Sequence, residues 1–360
     1  MANEVDISET ELLLKYEKKD GTNVVVMNML KDHTTQENIY WATDSYANIG
    51  KEGYTFYDPI TIEKITGEND MIIRPRAVKS KEEQTQRAKD KAEVFTPSWI
   101  CNAQNNLIDE QWFGRKDVFN HEDPENPQQW IDTEGKIEFP NTEGKTWIDY
   151  VADIRLEITC GEAPYLVSRY DTVSGDPIDD VRHRIGLIDR KLRVVSENCE
   201  TSADWIKWAK VALAASYGFE WQGDNLLLAR EAIFYSFIDH YKAKFGKVPT
   251  KTIMEGVSYI VSLNIWQMGG LTYGLPGYTV KERDVPKRPE PVQLSLDFGA
   301  VEEPEPEPEE VLSHERLCRI KDFFKGINLH NGTFNTNFLR SKNDNDKEKF
   351  PTFKSFVNNK

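Results

Sequence analysis

Residues 157–166 read Glu-Ile-Thr-Cys-Gly-Glu-Ala-Pro-Tyr-Leu, and residues 218–221 read Gly-Phe-Glu-Trp. The first stretch predicts a strand over 151–159 that ends at a tight Cys-Gly turn, and the second predicts another short strand. Helical spacing of apolar residues over 201–217, and again from Asp224 to Gly246, predicts a helix after each strand. This alternation is typical of a parallel sheet, so we expect an α/β fold.

A ligand site is predicted where the two strands end. In doubly wound sheets a tight glycine turn lets the backbone approach the ligand, and an acid after the next strand accepts ribose hydroxyls. Gly161 and Glu220 occupy these two positions. The pattern alone has a second interpretation, in which Glu220 is a solvated acid at a strand end, because many α/β proteins carry one there.

Outside these strands, composition and spacing give further expectations. A helix is predicted over 98–114, with Trp99, Ile100, Leu107 and Ile108 on its buried face. The remaining predictions are a strand at Asn23–Met27, an exposed helix over 81–91, an irregular excursion over 115–146, a loop over 171–181, and a helix or strand over 253–265.

Composition divides the chain of 360 residues into four segments. We expect an N-terminal extension (1–88), an α/β domain (89–280), a Pro/Glu-rich linker (281–311) and a basic, Phe-rich tail (312–360). The net charge of −15 argues against DNA contact over the whole surface, although residues 302–310 supply six of the acids and the tail is basic. We expect a flexible C-terminal arm.

Several classes of protein are disfavoured by the sequence. The four cysteines and six histidines show no metal-ligand or disulfide spacing, so we expect no metal site. No apolar run approaches the roughly 20 residues that cross a bilayer, and the N-terminus lacks the pattern of a secretory signal. These features favour a cytoplasmic protein without membrane contact.

Three motifs in order resemble the gamma class of adenine-N6 DNA methyltransferases of restriction–modification systems. Residues 92–97, Ala-Glu-Val-Phe-Thr-Pro, match that family's Gly-Glu-x-Phe-Thr-Pro apart from the glycine. Residues 157–166 fall on Asp-Pro-x-Cys-Gly-x-Gly-x-Phe-Leu, with identities at Cys160, Gly161 and Leu166. Residues 218–220 and the Leu-Ala-Arg of residues 228–230 reproduce the second-strand motif. The resemblance covers about residues 90–275.

The resemblance implies a Rossmann-like core over 89–280 that binds S-adenosylmethionine. Residues over the methionine end of that cofactor would be Glu93, Phe95, Thr96 and Pro97. The turn beneath it would comprise Glu157, Thr159, Cys160 and Gly161, and Glu220 would hold the ribose. The chain departs from the family at Ala163, whose Cβ could crowd the cofactor, and at residues 268–271, Met-Gly-Gly-Leu, which lack the family's acid.

The largest departure is the absence of the catalytic tetrapeptide Asn-Pro-Pro-Tyr. The nearest candidate at a suitable place is Asn264, although an apolar segment with one capped Asn is the simpler interpretation. Three functions follow. The chain could be the cofactor-binding subunit of a split DNA adenine methyltransferase in a restriction–modification or phage-related system, with a partner subunit carrying the catalytic loop. It could instead be a non-catalytic relative that binds DNA or a partner, or an anti-restriction interaction protein.

A smaller motif lies in the linker. Residues Gln293–Phe298, Gln-Leu-Ser-Leu-Asp-Phe, are similar to the short peptide that docks on the bacterial sliding clamp. A proline-flanked linker keeps such a peptide accessible. The alternative is a linker segment whose two leucines and Phe298 pack on the core.

Overall fold

A computed structural model describes residues 12, 15–49, 52–91, 96–271, 273–276 and 318, and shows a mixed α/β protein. Its helices are α1 (Val24–Leu30), α2 (Ile62–Ile65), α3 (Lys81–Lys91), α4 (Ser98–Phe113), α5 (Trp147–Ala152), α6 (Leu187–Asn198), α7 (Ser202–Ala214), α8 (Gly223–Phe245) and α9 (Lys251–Asn264). The strands are β1 (Asn120–Glu122), β2 (Trp130–Asp132), β3 (Arg155–Glu157), β4 (Ser216–Glu220) and β5 (Ile265–Gln267).

Two small sheets are formed by the described residues. β1 and β2 make an antiparallel hairpin within the predicted excursion over 115–146. β3, β4 and β5 make a parallel sheet in that order, with Arg155 opposite Ser216 and Gly218 opposite Ile265. All five residues of β4 are buried. A Cβ on Gly218 would lie 3.2 Å from Cys160 Sγ and 3.3 Å from Ile265 Cδ1, so the absence of a side chain leaves room for the Cys160 and Ile265 side chains on this face of the sheet.

The helices that flank the parallel sheet largely follow the sequence predictions. Thr201 precedes α7, and its hydroxyl oxygen accepts from the Asp204 N–H at 3.1 Å. α8 ends at Gly246, which adopts the left-handed conformation at φ 66°. The prediction that the α7 helix reaches residue 217 is wrong, because α7 ends at Ala214 and residues 216–220 pair with both neighbouring strands.

The N-terminal strand prediction is also wrong. Residues 24–30 form helix α1, although the Val-Val-Val run favours a strand. The Asn23 side chain accepts from the Val26 N–H at 3.1 Å and caps the first turn. Val25, Val26, Met29 and Leu30 are buried at helical spacing, and α1 packs along α9. Tertiary packing therefore overrides the local propensity.

Helix α4 forms where it was predicted, but its buried face is different. Trp99 is 37% exposed and Leu107 is 65% exposed. The buried residues are instead mostly polar: Ser98, Cys101, Asn102, Asn105, Asp109 and Phe113. Arg190 of α6 donates to Asp109 and, at 2.7 Å, to the Asn102 side chain, so two of these buried polar residues have a charged partner.

β3 is shorter than the predicted strand over 151–159. Residues 147–152 form α5, because Thr146 and Asp149 make a capping box at its start. The loop predicted over 171–181 is confirmed as a segment without helix or strand. The sequence predicts either a helix or a strand over 253–265. The structure has a helix that ends at Asn264 and continues directly into β5.

The described part of residues 1–88 shares one hydrophobic core with the α/β domain. Gly223 at the start of α8 donates to the Trp41 carbonyl at 2.9 Å, and a Cβ there would lie 2.0 Å from the Tyr40 oxygen. Buried Arg230 donates to four carbonyls, those of Met29, Lys31, Ser262 and Ile265. The N-terminal segment is thus attached to the sheet through backbone groups.

The linker over 281–311, the clamp-like peptide Gln293–Phe298 and nearly all of the tail over 312–360 lie outside the described residues. Cys318 is the exception, since it is fully buried and its N–H donates to the Tyr273 carbonyl at 2.9 Å. It packs in a second cluster with Tyr217, Phe219, Trp266, Met268 and Leu275. In the described ranges, no helix is both long enough and apolar enough to cross a membrane.

Replacing Arg230 tests whether the N-terminal segment and the sheet form one cooperative unit. Arg230→Met removes the donor of three buried hydrogen bonds and of one partly buried bond, so we expect the free energy of unfolding to fall by at least about 3 kcal/mol. Urea unfolding, followed by circular dichroism and by tryptophan fluorescence, measures this loss. Exposed Arg115 donates to one carbonyl, that of Glu138, and Arg115→Met should cost less than about 0.5 kcal/mol. Equal effects of the two substitutions would contradict the role of Arg230.

Candidate functional site

A cavity of about 730 Å³ lies where β3 and β4 end. Six residues that the motifs assigned to a cofactor site line it: Thr96, Glu157, Thr159, Cys160, Gly161 and Glu220. Pro97 precedes α4 and is not among the lining residues, whereas Glu93 and Phe95 lie outside the described residues. The structure therefore brings together the second and third motifs and one residue of the first.

The turn after β3 has an unusual backbone. Thr159, Gly161 and Ala163 all have positive φ, at 49°, 53° and 62°. For a β-branched residue such as Thr159 this conformation is a steric outlier, and such strain is concentrated at binding and catalytic sites. The turn is fixed by the Cys160 N–H, which donates to the Phe219 carbonyl at 2.8 Å. Ala163 is fully buried in the core and does not line the cavity, so its Cβ does not crowd it.

Glu220 joins the ends of the two strands. One carboxylate oxygen, Oε2, accepts from the Gly161 N–H at 2.9 Å, and Oε1 accepts from the Gln222 N–H at 3.1 Å. The residue is only 8% exposed, which contradicts the interpretation as a solvated acid. Burial raises the pKa of the Glu220 carboxyl, and the backbone donors partly offset that shift.

Glu157 is a second buried acid in the cavity wall, also 8% exposed. Its Oε1 accepts from the Tyr165 N–H at 3.4 Å, while Oε2 is buried with no hydrogen-bond partner among the described residues. Burial raises the pKa of Glu157 well above its usual value and the charge of Glu220 adds to the shift, while the backbone N–H groups of Tyr165 and Leu166 partly offset it. The pair therefore favours a ligand that brings positive charge or hydrogen-bond donors.

The rest of the cavity wall comes from two elements that the sequence did not assign to the site. Helix α4 contributes Gln104, Asn105 and Ile108. The other element is the segment between β4 and the first turn of α8, which contributes Trp221, Gln222 and Asn225. The residues after Glu220 could have been found from their place at the carboxyl end of β4. The α4 residues had no such signal, because the spacing of Trp99 and Leu107 predicted a different orientation of that helix.

A buried charge cluster supports the α8 side of the cavity. Arg87 of α3 pairs with Asp224 Oδ2 at 2.8 Å, Tyr46 donates to the same oxygen at 2.8 Å, and Lys79 Nζ lies 3.8 Å away. Burial alone would raise the pKa of Asp224, but Arg87 and Lys79 outweigh it and lower that pKa. The prediction of an exposed helix over 81–91 is therefore wrong at Arg87, whose partner is distant in sequence.

Asn264 does not lie at the cavity. It ends α9 and precedes β5, at the edge of the sheet where the strands begin. Its amide nitrogen donates to the carbonyls of Leu213, Ala214 and Ser216 at 2.9–3.0 Å. These contacts cap the end of α7, as expected from the simpler interpretation of a capped Asn.

Comparison of the chain with protein-family models, curated proteins and solved structures gave no match. Among the side chains that the structure describes, no three His, Cys, Asp or Glu residues converge in an arrangement that could hold a metal ion.

The pH dependence of stability tests the burial of Glu157. Because its pKa is raised on folding, the unfolded chain binds fewer protons between the normal and the raised pKa, and stability falls as pH rises through that window. Glu157→Gln removes the charge, so we expect the variant to be more stable than wild type at pH 7 and to depend less on pH. Urea unfolding from pH 4 to pH 8 measures this. Exposed Glu125→Gln is the control, and identical profiles for all three proteins would show that Glu157 is not buried.

Proposed function

We propose that this chain is the cofactor-binding subunit of a DNA adenine methyltransferase, and that it binds S-adenosylmethionine in the cavity at the ends of β3 and β4. The observation that carries this proposal is the pair of buried carboxyls, Glu157 and Glu220, beside a strained turn in a parallel sheet. The three motifs supply the identity of the ligand, because they resemble the gamma-class enzymes in this order along the chain.

The residues present fit this ligand. S-adenosylmethionine carries an ammonium group, a sulfonium and a ribose diol, so it offers positive charge and hydroxyl donors to two buried acids. Oε2 of Glu157 has no partner among the described residues, and Glu220 ends β4 at the place of a ribose acceptor. The cavity volume of about 730 Å³ falls within the range of small-molecule sites, roughly 300–1,000 Å³.

Each part of the cavity then has a role. Glu220 accepts the ribose hydroxyls, and the turn at Thr159–Gly161 presents its backbone to the methionine end. Trp221 provides apolar surface in the wall. Bound there, S-adenosylmethionine would supply an activated methyl group on its sulfonium. The sheet of β3, β4 and β5 is, in this proposal, half of a Rossmann-like core with its ligand at the carboxyl ends of the strands.

The catalytic loop is proposed to come from a partner subunit. Asn264, the candidate within the chain, is held by three carbonyls at the opposite edge of the sheet. DNA is the proposed substrate of the assembled enzyme, and the cytoplasm is its proposed location. A contact with the sliding clamp through Gln293–Phe298 remains a prediction. The alternative is a non-catalytic relative that binds DNA or a partner. One observation favours it: the Gly161 N–H donates to Glu220 Oε2, so this oxygen has a hydrogen-bond donor without any ligand.

Calorimetric titration with S-adenosylmethionine tests the proposal. We expect saturable binding to wild type, and a Kd about 10–100-fold higher for Glu220→Gln and for Glu157→Gln, since each loses a charged hydrogen bond. Exposed Glu125→Gln should bind as wild type does. Absence of binding, or equal affinity of all four proteins, would contradict the proposed site.

The titration also has a pH signature. Because burial raises the pKa of both acids, a cationic ligand drives them to their ionised forms and releases protons. We therefore expect affinity to increase as pH rises through their titration, and the binding enthalpy to vary with the ionisation enthalpy of the buffer. An affinity that does not change with pH, together with a binding enthalpy that does not change with the buffer, would show that the acids do not ionise on binding.

A further inference from the structure

In the part of the chain that the structure describes, the outer edge of β3 is open. β3 lies at the end of the parallel sheet and pairs with β4 alone among the described strands. The opposite edge strand, β5, differs, because the Gln267 side chain donates to the Tyr40 carbonyl at 2.8 Å and accepts from the Tyr40 N–H at 2.9 Å. The N-terminal segment therefore covers the β5 edge.

Two large aliphatic side chains are exposed here, Leu156 within β3 and Ile158 directly after it. Leu156 is 40% exposed and Ile158 is 66% exposed. Edge strands that do not pair are usually protected by charged side chains, proline or a bulge. β3 contains two charged residues, but Arg155 pairs with Asp153 at 2.7 Å and Glu157 is buried, so Leu156 and Ile158 remain exposed without such protection. Parallel strands are normally buried on both faces. These features are typical of a strand that pairs with another one.

The open edge continues into the cavity. Leu156 and Ile158 line one side of it, and Ile108 of α4 lines another. In open α/β sheets the ligand crevice lies where the strand order reverses, which requires a strand on each side of the first one. β4 provides one side, and no described strand provides the other. The cavity therefore lacks the wall that a further strand would supply.

We propose that the outer edge of β3 pairs with a strand from a different polypeptide. That strand runs parallel to β3 and packs aliphatic side chains on Leu156 and Ile158. The segment that follows it is rich in hydrogen-bond donors and lies over the cavity. The inference rests on the proposed function and deepens it, because the segment after that strand would reach the cavity where the catalytic loop is needed.

The charge of the cavity and of the chain indicates which kind of polypeptide binds at the β3 edge. The cavity wall contains two buried acids and an unpartnered Glu157 oxygen, so the incoming segment should bring amide, hydroxyl or basic groups rather than carboxylates. A second copy of this chain would bring another net charge of −15. Like net charges oppose association, so a neutral or basic partner is favoured over a homodimer.

A photo-crosslinking amino acid placed at residue 156 tests the occupant. Leu156→p-benzoylphenylalanine, expressed in the native cells of the protein, should crosslink to a second polypeptide. The matched control is Ile131→p-benzoylphenylalanine on β2, which is similarly exposed at 44% but belongs to the antiparallel hairpin. We expect no crosslink to the same polypeptide from residue 131.

Capture alone is not sufficient, so the crosslinked polypeptide is then purified and mixed with the intact chain. Sedimentation without S-adenosylmethionine should show a 1:1 complex, which separates this test from cofactor binding. Leu156→Lys and Ile158→Lys should each weaken the complex at least about 10-fold, since a buried charge replaces an aliphatic contact. Ile131→Lys should not weaken it, and circular dichroism verifies that all three variants fold.

Four outcomes would overturn the inference: a crosslink from residue 156 to a second copy, a crosslink only within the chain, no crosslink, or a complex that tolerates lysine at both positions. If wild type binds S-adenosylmethionine but one of these outcomes is found, only the docking inference fails. If the complex forms as expected but the cofactor does not bind, the proposed function fails while the strand site stands.

Discussion

The pairing of β4 with a parallel strand on each side is the constraint on which the rest of the structure depends. β4 is completely buried, and Gly218 at its centre has no side chain to separate it from Cys160 and Ile265. This pairing brings residues 157–161 next to Glu220, although about 60 residues separate them in the chain. Arg230 then fixes the N-terminal segment to α9 and β5 through backbone carbonyls.

The same pairing creates the electrostatic character of the cavity. Two acids end neighbouring strands in a region with little solvent, and burial raises the pKa of both carboxyls. Glu220 is partly satisfied by the Gly161 N–H, whereas one oxygen of Glu157 is not satisfied within the described residues. A buried, unsatisfied carboxyl destabilises the folded chain, and a ligand with a positive charge would relieve that cost. A ligand bound there would therefore change the stability of the fold through the same two residues.

Local sequence signals predicted the elements whose ends are determined locally. Thr201 with Asp204 marks the start of α7, and Gly246 marks the end of α8, because each makes its contacts within one turn. The Cys-Gly turn and Glu220 also lay where the pattern placed them. Contacts between residues distant in sequence account for the errors. α1 is helical because it packs on α9, and α4 buries polar residues because Arg190 supplies their partners. The burial of Arg87 could not be predicted either, since its partner Asp224 is far along the chain.

A crystal structure of the chain grown with S-adenosylmethionine would show whether the cavity between Glu157 and Glu220 holds that cofactor. We expect ligand density at the carboxyl ends of β3 and β4, with the ribose hydroxyls within about 3.2 Å of the Glu220 carboxylate. Density elsewhere on the chain, or a cavity without ligand at saturating cofactor, would contradict the proposed site.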